Sequence, residues 1–537
     1  MPDEKQFPMN ATSTDYVIVG AGSAGAVVAN RLSEDARVTL LEAGSTDHGW
    51  DYRLHMPAAL SHVLASDTYN WSYFSQPEPG LANRRIYCPR GRVLGGSSSI
   101  NGMVFVRGNP HDFDLWAADP ALSMWRYEHC LPYFRKSERR PHGDEGYRGE
   151  EGPMQVARAR GAGVLNEAWI HGAMQAGYRQ STDFNGEVQE GVGRFDCTIR
   201  KGRRFSTARA YLHPALGRTN LEIVKRALTT RIVFEGNRAV GVEYHKAGRL
   251  HRIHADAEVI LCAGAINSPQ LLMLSGVGNA DRLRELDIPV HHDLKGVGQN
   301  LQDHLELYVQ YSCRKPVSIY PSVKWYRKPF VGLQWYLSNT GAGATNHFET
   351  GGFLRSSDTL TYPDLQFHFL PIAMNYDGRD RYNGHGFQVH VGPMKPTSRG
   401  EVKLRTADPG DAPLLQFNYN STAADRQVMR RGIEIVQEIV GQAAFDGLRG
   451  DELKPGNTDI STFIEQHAES AYHPSCTCKM GSDEMAVVDG AAQVHGLTNL
   501  RVVDASIMPD ITNGNLNAPV IMMAEKLSDV IRGKITV

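Results

Sequence analysis

The stretch Asp15-Tyr16-Val17-Ile18-Val19-Gly20-Ala21-Gly22-Ser23-Ala24-Gly25-Ala26-Val27-Val28-Ala29-Asn30-Arg31-Leu32 runs from a short apolar segment through three glycines into an apolar, helix-like segment. Tyr16 to Val19 fits a buried parallel strand. Gly20 permits a tight turn after it. Gly22 lets backbone approach a pyrophosphate at a helix N-terminus, and Gly25 lets helix and strand pack closely. A second apolar run, Val38-Thr39-Leu40-Leu41, ends at Glu42. There a carboxylate accepts hydrogen bonds from a ribose diol. The unit predicts a βαβ fold that binds a dinucleotide with a free ribose 2′-hydroxyl, and on these residues alone NAD and FAD stay open.

The rest of the composition narrows the class. The chain has 537 residues, with 57 Lys and Arg against 59 Asp and Glu, a net charge of −2. That near-balance argues against a generic nucleic-acid binder, which needs a basic surplus. No apolar run reaches the ~20 residues needed to cross a bilayer. Met1 to Thr14 is polar and predicts no secretory signal. Seven scattered cysteines, Cys476 and Cys478 among them, suit reduced thiols in the cytoplasm and show no metal-binding spacing, so no metal is expected. Glycine supplies 53 residues, about 10% against a usual ~7%, and they fall in clusters that suit tight turns and close backbone approach to a ligand.

Later stretches read as further pieces of the same machinery. Gly91 to Gly102 reads GRVLGGSSSING, and Val259 to Ala265 is a strand running into a turn, with Ser268-Pro269 opening an apolar helix. Met429, Ile433, Val436 and Val440 fall on one helical stripe. Glu138 to Pro153 is charged and turn-rich and reads as a solvated loop.

Two of these stretches carry a family likeness. Gly91–Gly102 resembles the first signature of the glucose–methanol–choline (GMC) flavin oxidoreductases. Gly264-Ala265-Ile266-Asn267-Ser268-Pro269-Gln270-Leu271-Leu272-Met273-Leu274-Ser275-Gly276-Val277-Gly278 resembles the second. The likeness runs from Asp15 to Arg532 and looks closest to the bacterial choline dehydrogenases, including PVSIYP from Pro316 and NHFETGGF from Asn346. It implies an α/β fold: a discontinuous Rossmann-type FAD-binding domain with an inserted α+β substrate domain on an antiparallel sheet. The implied boundaries are 1–157, 199–304 and 466–537 for the first, and 158–198 and 305–465 for the second.

The resemblance selects FAD. It implies cofactor contacts at Gly20, Gly22, Ser23, Ala24 and Gly25, then at Glu42 and Ala43. It adds Arg92, Val93, Gly95, Gly96, Ser97, Asn101 and Gly102, and finally Asp504, Ala505 and Asn515. Small residues at Gly95–Ser99 also make physical sense, since an isoalloxazine ring must lie flat against backbone. Choline oxidases attach their flavin through a histidine in the first signature. Ile100 stands at that position here, so the FAD is expected to be held noncovalently.

The likeness also places the chemistry. His473, in Ala471-Tyr472-His473-Pro474, matches the family's active histidine, with Asn515 as its partner and Asn517 as the register alternative. Imidazole holds or takes a proton near neutral pH, and an amide beside it donates to a developing alkoxide. Glu306 matches the carboxylate that holds a trimethylammonium group, and His368 another active-site histidine. A quaternary ammonium has no hydrogen to donate, so only charge and aromatic faces can hold it. Tyr472 and either Trp325 or Tyr326 are the candidate faces. His304 is expected to be structural.

The expected reaction is alcohol oxidation by hydride transfer to flavin N5, with choline as the substrate that the resemblance implies. The alternatives are a neutral aliphatic or aromatic alcohol and, from another class, a flavin-containing lyase. The electron acceptor (oxygen or a quinone), the oligomeric state and a peripheral position at the inner face of the cell membrane all stay open.

Overall fold

The computed structural model describes residues 13–144, 146–375 and 381–535. Met1 to Asn10 and most of the polar N-terminal stretch therefore lie outside the described residues. The opening unit folds as its glycine spacing predicts: strand Ser13–Val19, helix Ser23–Leu32, strand Val38–Glu42. Val17, Ile18, Val27 and Val28 are fully buried. A Cβ on Gly25 would stand 1.8 Å from the Gly20 carbonyl oxygen, so only glycine allows the helix this close to the strand.

The first sheet grows from that unit. Leu221–Lys225, Val38–Glu42, Ser13–Val19, the end of Arg249–Leu261 and Leu500–Val502 lie side by side and parallel. The long strand Arg249–Leu261 leaves the parallel layer at its start and pairs antiparallel with Arg238–Lys246, which pairs in turn with Leu228–Glu235. The last helix, Asn517–Ile531, packs beside the first. Arg31 forks onto Glu525 at 2.6 and 2.8 Å, and Ser23 Oγ donates to Asn517 Oδ1 at 2.7 Å.

A second, antiparallel sheet runs in the order Arg449–Lys454, Leu305–Cys313, Gly386–Pro393, Leu365–Leu370, Thr350–Leu354, Gly191–Arg194. Side chains alternate across it. Leu307, Val309, Val389, Val391, Phe367 and Phe369 face one way and are buried. Helix Val164–Gln175 covers that side through Trp169, stacked 5.7 Å from Phe369. Helix Ala423–Val440 joins it with Met429, Ile433, Val436 and Val440 all buried, each worth roughly 1.5–3 kcal/mol. The other side carries Glu306, Tyr308 and Gln310, then Gln366 and His368, then Gln388 and His390.

One sequence expectation holds only in part. Glu138 to Pro153 is a largely exposed loop as expected among its described residues, but two of its charges, Glu138 and Arg148, are buried and paired. Arg148 is 1% exposed and stands 2.7 Å from each of Glu138, Asp183 and Asp196, while Arg107 reaches Glu138 at 2.7 Å. Charge-rich composition cannot tell a solvated charge from a buried, paired one.

Candidate active site

A cavity of about 460 Å³ runs between the two sheets. Its floor is the glycine-rich turn and helix N-terminus at Gly20, Gly22, Ser23 and Ala24. Gly22 caps that helix with no side chain, which leaves its first backbone N–H groups directed at the cavity end. The second glycine cluster closes over the first: a Cβ on Gly96 would come within 2.6 Å of Gly22 Cα. Gly102 and Gly264 line the cavity with nothing within 4 Å of where a Cβ would stand, so both leave flat backbone walls.

Glu42 closes one end. Its carboxylate accepts from Ala21 N at 2.9 Å and Gly44 N at 2.8 Å, and burial pushes its pKa up to about 7. Arg92 stacks over Trp71, 4.6 Å from the ring centre, and both line the same wall as Ala43, Ser97 and Asn101. Asp504 accepts from Gly264 N and Ser506 N at 2.8 Å and from Ser268 Oγ at 2.6 Å, which fastens the start of helix Gly264–Leu274 to the wall beside Ala505. A long dinucleotide fits these residues. Anionic phosphates would meet the uncapped helix N-terminus at Gly22, a ribose would meet a buried carboxylate, and a planar ring would meet glycine backbone. Three expected contacts do not line the cavity: Gly25, Val93 and Gly95. Gly25 joins helix to strand, Val93 is fully buried and bridges to Ser45, and Gly95 ties to Ala21 O at 2.8 Å. They shape the wall from behind.

The other end of the cavity gathers His473, Asn515, Glu306, His368, Tyr472, Phe348 and Ile100. Asn515 Nδ2 stands 3.2 Å from His473 Nε2, whereas Asn517 is engaged with Ser23. His473 Nδ1 meets His304 Nδ1 at 3.0 Å, and His304 Nε2 meets the Met394 carbonyl at 3.1 Å. These contacts fix the ring protons of His304 and His473. A carbonyl only accepts, so His304 Nε2 carries hydrogen. Burial holds the His304 pKa down at about 3, so the ring is neutral and its Nδ1 accepts. His473 Nδ1 must then donate, which leaves the lone pair on Nε2, at the Asn515 end. Asn515 donates to it and accepts through Oδ1 from Gln366 Nε2 at 3.1 Å. Gln366 also meets His368 Nε2 at 3.2 Å.

Burial pushes the His473 pKa well below its ordinary value, and His304, Arg90 and His368 add to the fall. The neutral ring, its Nε2 lone pair accepting from Asn515, is therefore the resting form. Asp303 fixes the backbone beneath it, accepting from His473 N at 2.6 Å, and Arg90 reaches the Tyr472 carbonyl at 2.5 Å. Tyr472 itself takes a left-handed φ of +66°.

Trp325 is a correction. It is 81% exposed and Tyr326 47% exposed, and neither lines the cavity. Aromatic type alone does not reveal which loop a ring belongs to. The ring that the sequence reading missed is Phe348, inside the quoted NHFETGGF stretch, which stands edge-on to His368 at 5.8 Å. His304, expected to be structural, lies outside the cavity with its ring against His473.

Comparison with known proteins identifies the family. The two GMC oxidoreductase family patterns match residues 14–306 and 396–524. The chain belongs to the GMC oxidoreductases. Oxygen-dependent choline dehydrogenase from Burkholderia vietnamiensis is 54% identical over 535 residues, 98% of this chain and 94% of that one. The Pectobacterium carotovorum enzyme of the same name is 54% identical over 527 residues, 96% of this chain and 94% of that one. Among solved structures, pyridoxine 4-oxidase from Mesorbium loti matches with a TM-score of 0.87 at 31% identity, covering 97% of this chain and 100% of that one. Aspergillus oryzae formate oxidase, solved in a study of FAD modification, matches with a TM-score of 0.91 at 25% identity, covering 98% and 99%. GMC membership makes the chain an oxidoreductase, and its two-sheet architecture is the GMC fold.

Proposed function

We propose that the chain oxidises choline to betaine aldehyde, using noncovalent FAD. The observation that carries this is Glu306, a carboxylate 3% exposed, lining the same cavity as His473 and Asn515. A buried carboxylate beside a base is a costly arrangement unless it meets a cation. Tyr472, whose hydroxyl pKa is raised by burial and by the charges of Glu469 and Glu306, supplies an aromatic face close to that charge. Phe348 supplies another. Relatives named for choline support the substrate.

The flavin, when bound, supplies the hydride acceptor. The chain's own residues do the rest. Glu306 and the aromatic faces hold the trimethylammonium end. His473 Nε2, the nitrogen left with its lone pair, takes the hydroxyl proton. Asn515 Nδ2 donates to the oxygen as its negative charge develops. His304 keeps the proton of His473 on Nδ1 throughout. The hydrate of the aldehyde is again an alcohol, so oxidation on to glycine betaine is open to the same residues. An anaerobic substrate panel tests the reading: choline should bleach the flavin far faster than aliphatic or benzylic alcohols of similar size. Faster bleaching by a neutral alcohol would hand the site to the alternative reading, and no bleaching by any alcohol would leave a lyase.

The exposed aromatic segment supports a peripheral membrane position. Trp325, Phe330, Leu333, Tyr336 and Leu337 are 56–81% exposed along and beside helix Lys328–Ser338. From Arg314 to Phe348 the chain carries Arg314, Lys315, Lys324, Arg327 and Lys328 and no acid. Exposed rings and leucines flanked by cations alone complement an anionic bilayer. No helix among the described residues is long and apolar enough to cross a membrane. The protein should float with phosphatidylglycerol vesicles and not with phosphatidylcholine ones, and Phe330→Ser with Leu337→Ser should abolish this. Equal flotation of wild type and variant would remove the surface from consideration. Oxygen and a quinone both remain candidate acceptors, and comparing reoxidation rates by each decides between them.

A further inference from the structure

Strand alternation sets two copies of one short pattern side by side in the second sheet. Gln366-Phe367-His368 and Gln388-Val389-His390 lie on adjacent antiparallel strands, with His368 and His390 directly opposite each other. His368 lines the cavity, and His390 sits behind the wall, 1% exposed. Its ring lies 4.1 Å from that of Tyr308 and edge-on to Phe348 at 5.7 Å. Its Nδ1 stands 3.4 Å from Glu306 Oε1, in polar contact but outside the geometry of a formed hydrogen bond.

The backbone determines which nitrogen of His390 carries the proton. Met374 N donates to Gln388 Oε1 at 2.8 Å, and the Met374 carbonyl accepts from Gln388 Nε2 at 2.9 Å. An N–H only donates and a carbonyl only accepts, so the Gln388 amide has a single orientation. Gln310 Nε2 agrees with it, donating to the same Oε1 at 2.9 Å. The Gln388 nitrogen then lies 2.6 Å from His390 Nε2, which must accept. In a neutral imidazole the proton is left on Nδ1, the nitrogen that faces Glu306.

We infer that His390, with its tautomer set by Gln388 and Met374, is the positioning residue that holds the Glu306 carboxylate in place for a cationic substrate. The choice of group matters. A neutral N–H steadies a buried carboxylate without cancelling its charge. A lysine or arginine at the same place would form a closed ion pair and leave nothing for a trimethylammonium group to meet. The inference rests on the reading of Glu306 given above.

The test uses the FAD-loaded enzyme, with choline and its neutral isostere 3,3-dimethylbutanol as substrates. An N–H dipole facing a buried carboxylate is worth roughly tenfold in binding, and up to about a hundredfold where substrate draws the two into a hydrogen bond. His390→Leu should therefore lower kcat/KM for choline by roughly that factor, mostly through KM, and change dimethylbutanol turnover much less. His390→Asn keeps a donor near the Nδ1 position and should recover most of the loss. His390→Gln places its amide further out and should not. In a Glu306→Gln background, His390→Leu should cost nothing more for choline. Equal losses for both substrates, or losses that simply add in the double variant, would overturn the inference and leave His390 a packing residue. If Glu306→Gln alone leaves the preference for choline intact, the reading of Glu306 falls first and this inference falls with it. Should His390→Leu fail to fold, the Asn and Gln variants decide by the same comparison.

Discussion

The Nδ1 atoms of His304 and His473 stand 3.0 Å apart, and a single hydrogen lies between them. Because the Met394 carbonyl claims the far nitrogen of His304, that hydrogen belongs to His473. The reactive nitrogen of His473 is thus chosen by a residue outside the cavity. His473→Ala should slow flavin reduction roughly 10²–10⁴-fold while FAD stays bound. His304→Leu should slow it less, and His304→Asn, which can still accept, should fall between wild type and Leu. Stopped-flow reduction measures all three. A His473→Ala enzyme that bleaches at the wild-type rate would take this histidine out of the mechanism.

Ile100 lines the cavity and offers no nucleophilic atom. Acid precipitation should leave all of the flavin in the supernatant. Yellow colour in the washed pellet would show a covalent bond to some other side chain.

Glu42 predicts a pH dependence of cofactor capture. Burial raises its carboxyl from an ordinary 4.5 to about 7 in the folded chain. Ribose hydroxyls donate to the ionised form, so FAD binding expels a proton wherever Glu42 starts protonated. Affinity should rise with pH up to about 7 and then level off. Below that point the fall is at most tenfold per pH unit. The cofactor-free fold has the opposite sign: a raised folded pKa gives stability that is full below 4.5 and is lost as pH rises through about 7. Titrating the apoprotein with FAD by flavin fluorescence gives the slope. Glu42→Gln should flatten it, and an unchanged slope in that variant would place the titrating group elsewhere.

Arg148 predicts a large stability loss far from the cavity. Its guanidinium is 1% exposed and shared by Glu138, Asp183 and Asp196. Removing it takes the shared cation from three carboxylates, leaving Glu138 to Arg107 and Asp196 to Arg140 and uncovering Asp183. Arg148→Ala should cost roughly 3–5 kcal/mol. Urea unfolding of the two proteins would show it, and a loss under ~1 kcal/mol would mean that the surrounding arginines repair the cluster.

The glycine spacing from Gly20 to Gly25 was readable because each glycine answers a local steric demand that sequence states directly. His473, Asn515 and Glu306 were readable only through the family likeness, since nothing near them in sequence shows that they converge. His390 had only a weak local signal: Gln-x-His occurs at 366–368 and 388–390 but also at 302–304 and 493–495, so the pattern alone does not pick out the pair on adjacent strands. Trp325 misled because a solvent-facing aromatic and a ligand-facing one look alike in a sequence. Arg148 misled because turn-rich composition describes the backbone and is silent on where a guanidinium ends.

Helix Asn517–Ile531 forms one flank of the glycine turn at Ser23, nearly five hundred residues earlier. This seam has a consequence for biosynthesis. While the ribosome is still making the chain, the N-terminal unit has its strands and glycines but no closing helix, and His473, Asp504 and Asn515 have yet to emerge. Cofactor capture is therefore a post-translational event, and newly released chains in a flavin-starved cell should accumulate as a distinct, protease-sensitive population awaiting FAD.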